Sequence, residues 1–339
     1  MNDGFSTEVQ ARLKRLLQEF ERRKKTGPFE YSWAHHHDGG QHPTHVVFGC
    51  MIHGNEFGSL PAAVRLVEAL TDGSLKFGGR LTIFIGNPEA ARENRRYLES
   101  DLNRVFLETG MDRHEDRRAQ EIMPILKSAD VFLDFHQTIL DTTQPFYIFP
   151  WHKQGWLWAR ATQGTDVWVT RDPKQIFSSG SQCADEYVTN RGRPGMTLEL
   201  SQKGFSSAAE SLCWDAMIRT LATADSQADG TPLSALAERQ PELGFLTTTF
   251  AESFDTPEKA LVPGLMNFQR VHQGLTLHAA GSPEMTVPEN GVVLFPKYPE
   301  RNGTAAVAPW PNEIYRLVTP MTQHPLQLWE EDPASEDNG

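Results

Sequence analysis

Cysteine is scarce in this 339-residue chain. Cys50, Cys183 and Cys213 are widely separated and odd in number, which argues against a disulfide framework and fits a reducing cytoplasm. No CxxC pair occurs, so any metal site has to be built from histidine and carboxylates. Positive charge is also short: 32 Lys and Arg stand against 44 Asp and Glu, a formal net charge of -12. That balance disfavours a nucleic-acid binder, and an anionic small substrate would need a local cluster of arginine or lysine. No apolar run approaches the roughly 20 residues that span a bilayer, so no membrane association is expected. The N-terminal segment lacks the uninterrupted apolar core of a secretory signal. Its Val9, Leu13, Leu16, Leu17 and Phe20 recur at helical spacing and predict a docked amphipathic helix. Internal repeats and extended low-complexity tracts are absent.

What remains is a globular composition, 39% hydrophobic and 22% charged, on a chain long enough for one large domain or two unequal ones. Apolar runs of strand type lie at 44–52, 80–87 and 129–136, with helical patterns at 60–70 and 117–129 between them. Pro61 falls in the first turn of one helix, and Pro124 would kink or break the other. GMTLELS (195–201) reads as a further buried strand and 207–225 as a closing helix. Continuous apolar strands alternating with helices predict an α/β fold, a mostly parallel mixed sheet flanked by helices. After about residue 240 the segments LGFLTTTF, LTLHAA, GVVLFP and TAAVA are short and separated by Gly, Pro and Asn, which reads as a smaller β-rich domain. The expected division is 1–235, 236–327 and an acidic, disordered tail over 328–339.

Chemistry concentrates at strand ends. His53 and Glu56 stand three residues apart just after one apolar strand and just before a helix, where ligands bind in open α/β sheets. Gly54 between them allows an unusual turn. VFLDFH closes another strand with His136, and Asp134 shares its face two residues earlier, placed to fix the imidazole tautomer. A buried core histidine is the rival reading of His136, and a solvated surface pair is the rival reading of the HxxE. Taken together, His53, Glu56 and His136 form a set of three protein ligands with an open fourth position, the pattern of catalytic zinc. Glu199 lies in an otherwise apolar strand, where desolvation raises a carboxyl pKa toward the range useful for proton transfer. A buried salt bridge is its alternative. Arg92, Arg95, Arg96 and Arg104, with Asn103 among them, follow the strand ending at Asn87 and offer an anion site. A charged helix surface is the bland reading of that run. The segment 27–44 reads as turns and at most one strand, and His35, His36, His37 and Asp38 within it read as a Gly-rich polar loop without ligand spacing. The tryptophans at 151, 156, 158 and 168 read as packing residues, and so does Cys50.

HGNE, then NP…RRY…DLNRVF, then DFH, then a glutamate in a late strand follow in one order. In this respect the chain resembles the succinylglutamate desuccinylase/aspartoacylase family, a branch of the carboxypeptidase-A-like zinc hydrolases. The likeness covers roughly 44–205, with a weaker echo in GVVLFPKYP at 291–299. It implies a zinc-carboxypeptidase-like fold, one Zn2+ held by His53, Glu56 and His136, and Glu199 activating water and later protonating the departing amine. It assigns Arg96 to the polarised carbonyl oxygen and Asn103 with Arg104 to a substrate carboxylate, and it gives Asp101 a structural role. Arg191 and Arg193 do not reproduce the spacing of the family's further arginine. Gln137 is not the usual neighbour of the ligand histidine, and Tyr298 aligns loosely with a closing tyrosine. The acyl group and the amino acid therefore stay open.

The leading expectation is a cytoplasmic zinc-dependent amidohydrolase that deacylates a small anionic N-acyl amino acid. A zinc carboxypeptidase acting on peptides and a non-catalytic metal-binding regulator are the alternatives, and Glu199 argues against the second. Oligomeric state is left open, a homo-oligomer included.

Overall fold

The computed structural model describes residues 6–108, 111–175 and 179–329. Helix α1 (Thr7–Arg23) starts at Ser6, whose side chain accepts the Val9 N–H, and buries Leu13, Leu17 and Phe20. Strand β1 (Ala34–Asp38) follows and pairs antiparallel at the sheet edge with β3. It contains His35–His37, which the sequence reading placed in a loop; pairing with a neighbouring strand overrides the polar composition. Strand β2 (His45–Cys50) is buried at every position. Helix α2 (Leu60–Asp72) carries Pro61 in its first turn and ends at Gly73 in the left-handed region. Strand β3 (Arg80–Ile85) leads into the short helix α3 (Pro88–Arg92), capped by Asn87. Helix α4 (His114–Lys127) continues through Pro124 without a break and hands the chain to the wholly buried β4 (Val131–Thr138).

The sequence reading did not resolve the next stretch, where β5 (Phe146–Ile148), α5 (Lys153–Thr162), β6 (Val167–Thr170) and α6 (Ala184–Thr189) are short. Strand β7 (Gly195–Gln202) and helix α7 (Ser207–Ala228) fall where expected, and α8 (Leu233–Glu238) follows. Beyond it come β8 (Gly244–Ser253), β9 (Arg270–Val271), β10 (Gly291–Leu294), the β11 (Arg301–Asn302) and β12 (Ala305–Ala306) pair, β13 (Glu313–Pro320) and helix α9 (Pro325–Trp329). LTLHAA forms isolated bridges and not a strand. The tail expected from 328 begins inside α9, and 330–339 lie outside the described residues.

One mixed sheet of eleven strands runs β1-β3-β2-β4-β7-β5-β6-β8-β13-β10-β9. Its centre, β3-β2-β4-β7, is parallel, as are β5-β6-β8. The antiparallel pairs are β1 with β3, β5 with β7, and the C-terminal strands. Helices cover both faces: Gly195 of β7 meets Asp185 of α6 on one side, and Leu198 meets Gly164 at the end of α5 on the other. This is the α/β architecture expected.

The large hydrophobic core spans α1 to Leu243 and is joined by Leu326 and Trp329 of α9. Trp151, Trp158 and Trp168 are buried in it, as is Cys50. A second cluster lies wholly within 254–317. A third bridges the two parts through Phe146, Val169, Phe268, Leu294 and Val318. The division near residue 235 is a proposal that the second cluster supports. At this junction Phe146 meets Phe268 at 4.7 Å and Phe295 at 6.1 Å between ring centres. Asn267 fastens this junction: its N–H donates to the Asp141 carbonyl, and its Oδ1 accepts the Phe295 N–H. The C-terminal strands are thereby tied to the loop that follows β4, at the carboxyl end of the parallel strands.

Candidate active site

Two parallel strands end side by side with donors on them. The chain leaves β2 through Met51, whose φ of 56° puts a non-glycine residue in the left-handed region. This is the unusual conformation in the turn; Gly54 is needed for a different reason. A Cβ there would lie 2.5 Å from the Ala91 nitrogen, so glycine permits the turn to press against α3. The Gly54 N–H also donates to the Arg96 carbonyl at 2.9 Å. His53 and Glu56 are thus aimed back over the sheet edge toward His136 on β4.

His53 Nδ1 and Glu56 Oε1 are 2.9 Å apart, His136 Nδ1 and Glu56 Oε2 are 2.9 Å apart, and the two Nδ1 atoms are 3.1 Å apart. All three side chains are buried. Each imidazole has a carboxylate at its other nitrogen: His53 Nε2–H donates to Asp101 Oδ1 at 3.0 Å, and His136 Nε2–H donates to Asp134 Oδ2 at 2.8 Å. A proton kept at each Nε2 by these carboxylates makes Nδ1 the nitrogen that each ring can offer to a cation, on the side where Glu56 sits. Two such nitrogens and a carboxylate in one buried spot form a donor set for a cation. Among the described residues this is the one group of three or more His, Cys, Asp or Glu that could hold a metal ion.

Asp101 does more than the structural role expected of it. It accepts from His53 and from Arg96 Nε at 3.2 Å. Burial opposes its charge, but His53 and Arg96 outweigh burial and hold its carboxyl well below the usual range. Arg96 also donates from Nη1 to Glu56 Oε1 at 2.9 Å. Burial likewise opposes the charge on Glu56, and His53 and His136 overcome it and keep that carboxyl well below its ordinary value. The Glu56 Oε2 atom accepts in addition the main-chain N–H of Gln137 at 3.0 Å. The Gln137 side chain, a departure noted in the sequence, binds Gly58, Ser201, Gln202 and Gly204 and locks the start of α2 to the end of β7.

Glu199 on β7 sits in register beside His136 and opposite Phe146 on β5. It is buried, and its Oε2 has no hydrogen-bond partner. Burial, opposed by His136 and Arg96, pushes its carboxyl up to about 8. The buried salt bridge considered for it is not formed.

The arginine run divides. Arg92 lies over the Trp33 ring, and Arg95 pairs with Glu93 and the Leu98 carbonyl, both on the surface. Arg96 faces the donor set. Arg104 is held by the Asn103 carbonyl at 2.7 Å and by Cys183 Sγ at 3.3 Å. Asn103 is buried, with Oδ1 accepting the Ala184 N–H and Nδ2 3.5 Å from His136 Nε2. Three other residues are engaged elsewhere. Arg191 donates to Glu108 and the Tyr187 carbonyl, Arg193 pairs with Asp130, and Tyr298 donates to the Val262 carbonyl. The three consecutive histidines of β1 are spent separately, on the Lys25 N–H, Thr82 Oγ1 and the Phe77 carbonyl.

Fold and donor set together define an α/β protein with a buried His-Glu-His group that could hold a metal ion at the carboxyl end of its central parallel strands. The family model for the succinylglutamate desuccinylase/aspartoacylase catalytic domain matches residues 43–225, over half of the chain, and the chain belongs to that family. The succinylglutamate desuccinylase of Pseudomonas aeruginosa (strain LESB58) is 26% identical over 288 residues, covering 77% of this chain and 82% of that protein. The one from Pseudomonas paraeruginosa is 33% identical over 120 residues, covering 31% of this chain and 35% of that protein. Among solved structures, succinylglutamate desuccinylase from Chromobacterium violaceum superposes with a TM-score of 0.65 at 17% identity, covering 91% of this chain and 98% of that one. The product-bound ectoine utilization protein from Ruegeria pomeroyi gives 0.61 at 19% identity, covering 84% and 88%. At these identities the solved structures establish the fold. Among the described residues no helix is long and apolar enough to cross a membrane.

Proposed function

We propose that this protein hydrolyses the amide bond of a small anionic N-acyl amino acid, with one zinc ion held by His53, Glu56 and His136. The observation that carries the reading is the unpartnered, buried Oε2 of Glu199 beside the converging donors. A carboxylate without a partner is costly to bury, and it belongs where it can take up and give back a proton. The donors fit zinc in type: two neutral imidazoles and one carboxylate leave a fourth position open. A zinc ion held by these three residues would supply Lewis acidity toward a carbonyl oxygen and would acidify water.

Glu199 takes the proton from the attacking water and returns it to the departing amine. Arg96 has Nε and Nη1 committed to Asp101 and Glu56, which fixes its plane and leaves Nη2 for the negative charge that develops on the carbonyl oxygen. Arg104 and Asn103 form the side of the site assigned to the substrate carboxylate; two contacts to Asn103 and Cys183 preset the Arg104 guanidinium. Three unpaired, buried cysteines support a cytoplasmic location.

The test is metal analysis and hydrolysis on one preparation, with N-succinylglutamate, N-acetylaspartate and related N-acyl amino acids as substrates. Stoichiometric zinc and turnover of at least one member are expected. A zinc-loaded protein that cleaves no amide in a broad panel removes this reading.

A further inference from the structure

Glu115 stands in the first turn of α4, fully buried, and pairs with no basic side chain among the described residues. Its carboxylate instead collects four N–H groups. Oε1 accepts Asn87 Nδ2 at 3.0 Å and the Leu98 N–H at 2.7 Å; Oε2 accepts the Glu99 and Ser100 N–H groups, both at 3.0 Å. Three of these are consecutive main-chain donors turned onto one anion. Such convergence fixes the backbone of 98–100, because losing the anion would leave three consecutive N–H groups without their acceptor at once, the buried Ser100 N–H among them.

The clamped segment lies between the two residues that brace the metal group. Arg96 precedes it and Asp101 follows it directly. On its far side the segment is pinned by the Arg96 carbonyl, which accepts from Gly54 between His53 and Glu56. On its near side it is pinned by Glu115. Asn87 joins both anchors to the sheet, since it follows β3 by two residues, caps α3 through Oδ1 and reaches Glu115 through Nδ2. The line of contacts runs from the edge of β3 through Asn87 and Glu115 to residues 98–100, then to Asp101 and on to His53.

The geometry points to Glu115 as a positioning residue: its buried carboxylate holds the 96–101 segment so that Asp101 meets His53 and Arg96 meets Glu56 in the metal-binding arrangement. The idea rests on the proposed use of the His-Glu-His group, but it can be tested apart from catalysis. Neighbouring Asp116 strengthens the grip, accepting from Ser100 Oγ at 3.3 Å and the Met111 N–H at 3.0 Å. The chemistry of the clamp is specific. An amide at 115 would turn an NH2 group onto N–H donors, and a shortened carboxylate would reach fewer of them.

The experiment compares wild type with Glu115→Gln and Glu115→Asp, using full-length zinc-loaded protein. Asp225→Ala serves as the structural control; Asp225 binds His42 and the Gly78 N–H at the far end of the sheet from the donor set. Four quantities are read: melting temperature, zinc affinity by chelator competition, amide hydrogen exchange over 94–104, and kcat with KM. In Glu115→Gln, exchange over 94–104 should quicken at least about tenfold more than in the rest of the chain. Zinc affinity should fall about tenfold or more, and kcat about a hundredfold with a smaller change in KM. Glu115→Asp should lie between it and wild type, and it carries the test if the Gln variant does not fold. Asp225→Ala should lower the melting temperature and leave zinc affinity and kcat unchanged. Wild-type zinc affinity and wild-type exchange over 94–104 in the folded Glu115 variants overturn the inference. Equal losses in Asp225→Ala at equal loss of melting temperature do the same. If wild type binds zinc but cleaves no amide, the functional reading fails while affinity and exchange still decide the role of Glu115.

Discussion

His136 and Glu199 are register partners across the parallel strands β4 and β7. One is a member of the donor set and the other is the carboxylate left without a partner. A ladder spacing of about 4.8 Å separates their backbones, so the distance between the proposed metal ligand and the proposed proton acceptor is set by main-chain hydrogen bonds and not by loop conformation. That placement ties the geometry of the candidate site to the buried part of the sheet.

Glu199→Gln should bind zinc as wild type does and lose kcat by roughly 10³-fold, within the range for removing a general base. Zinc content and steady-state rates on the same sample measure both halves. A variant that turns over at the wild-type rate would remove Glu199 from proton transfer.

Asp101→Asn keeps the size of the side chain and discards the charge shared by His53 and Arg96. Metal affinity should drop about 10- to 100-fold, measured by competition with a chelator of known strength. Unchanged affinity would mean that the His53–Asp101 contact does not tune the ligand.

Arg96→Lys retains a positive charge but loses the planar fork that spans Glu56 and Asp101. A fall in kcat of about 10²-fold or more is expected. A change confined to KM would instead assign Arg96 to ground-state binding.

Gly54→Ala puts a methyl 2.5 Å from the backbone nitrogen of Ala91. Backbone cannot yield as a side chain can, so a loss of about 1–3 kcal/mol is expected from urea unfolding, with weaker metal binding as the His53–Glu56 turn is pushed off α3. Full stability would show that α3 moves freely.

Burial lowers the His35 imidazole to about 4, and the residue is 1% exposed. The neutral ring is favoured in the folded chain, so the unfolded chain binds more protons between about 6.5 and 4. The contribution is complete above 6.5 and is lost as pH falls through that window, on the order of 3 kcal/mol in all. Urea midpoints at pH 7.5 and 4.5 for wild type and His35→Asn should show a shallower acid loss in the variant. Parallel pH dependence in the two proteins would exclude His35 as a contributor.

Much of this molecule was legible in its sequence, for physical reasons that also mark where legibility stopped. HVVFGC and VFLDFHQT are continuous apolar runs because both strands are central and covered on both faces, and burial leaves its signature in composition. Strand ends carry ligands in such sheets, so His53, Glu56 and His136 could be paired in prospect, and the structure does bring them together. The short β5, β6 and α6 were missed because three to six residues carry too little periodicity to register. The β1 histidines read as loop because an edge strand takes its conformation from its neighbour.

Apart from Asp134, which the strand periodicity already set beside His136, the partners of the donors were decided by tertiary structure. His53 and Asp101 are 48 positions apart, and Gln137 reaches Glu56 across 81. Spacing along a chain reports which face of an element a residue occupies, but not which distant segment will be folded against that face. Four arginines in one run looked alike; the path of the 93–101 loop turns Arg96 inward and leaves Arg92 and Arg95 on the surface. Likewise, the sequence favours glycine as the conformationally unusual residue of the turn, whereas close packing on α3 reserves Gly54 for contact and moves the left-handed φ to Met51. By itself the sequence determined the class of fold and which three residues could converge as donors, because both follow from local burial and residue chemistry. Only the folded chain decided the contacts of Asp101, Arg96 and Gln137 with those residues, because they join segments that have no local relation.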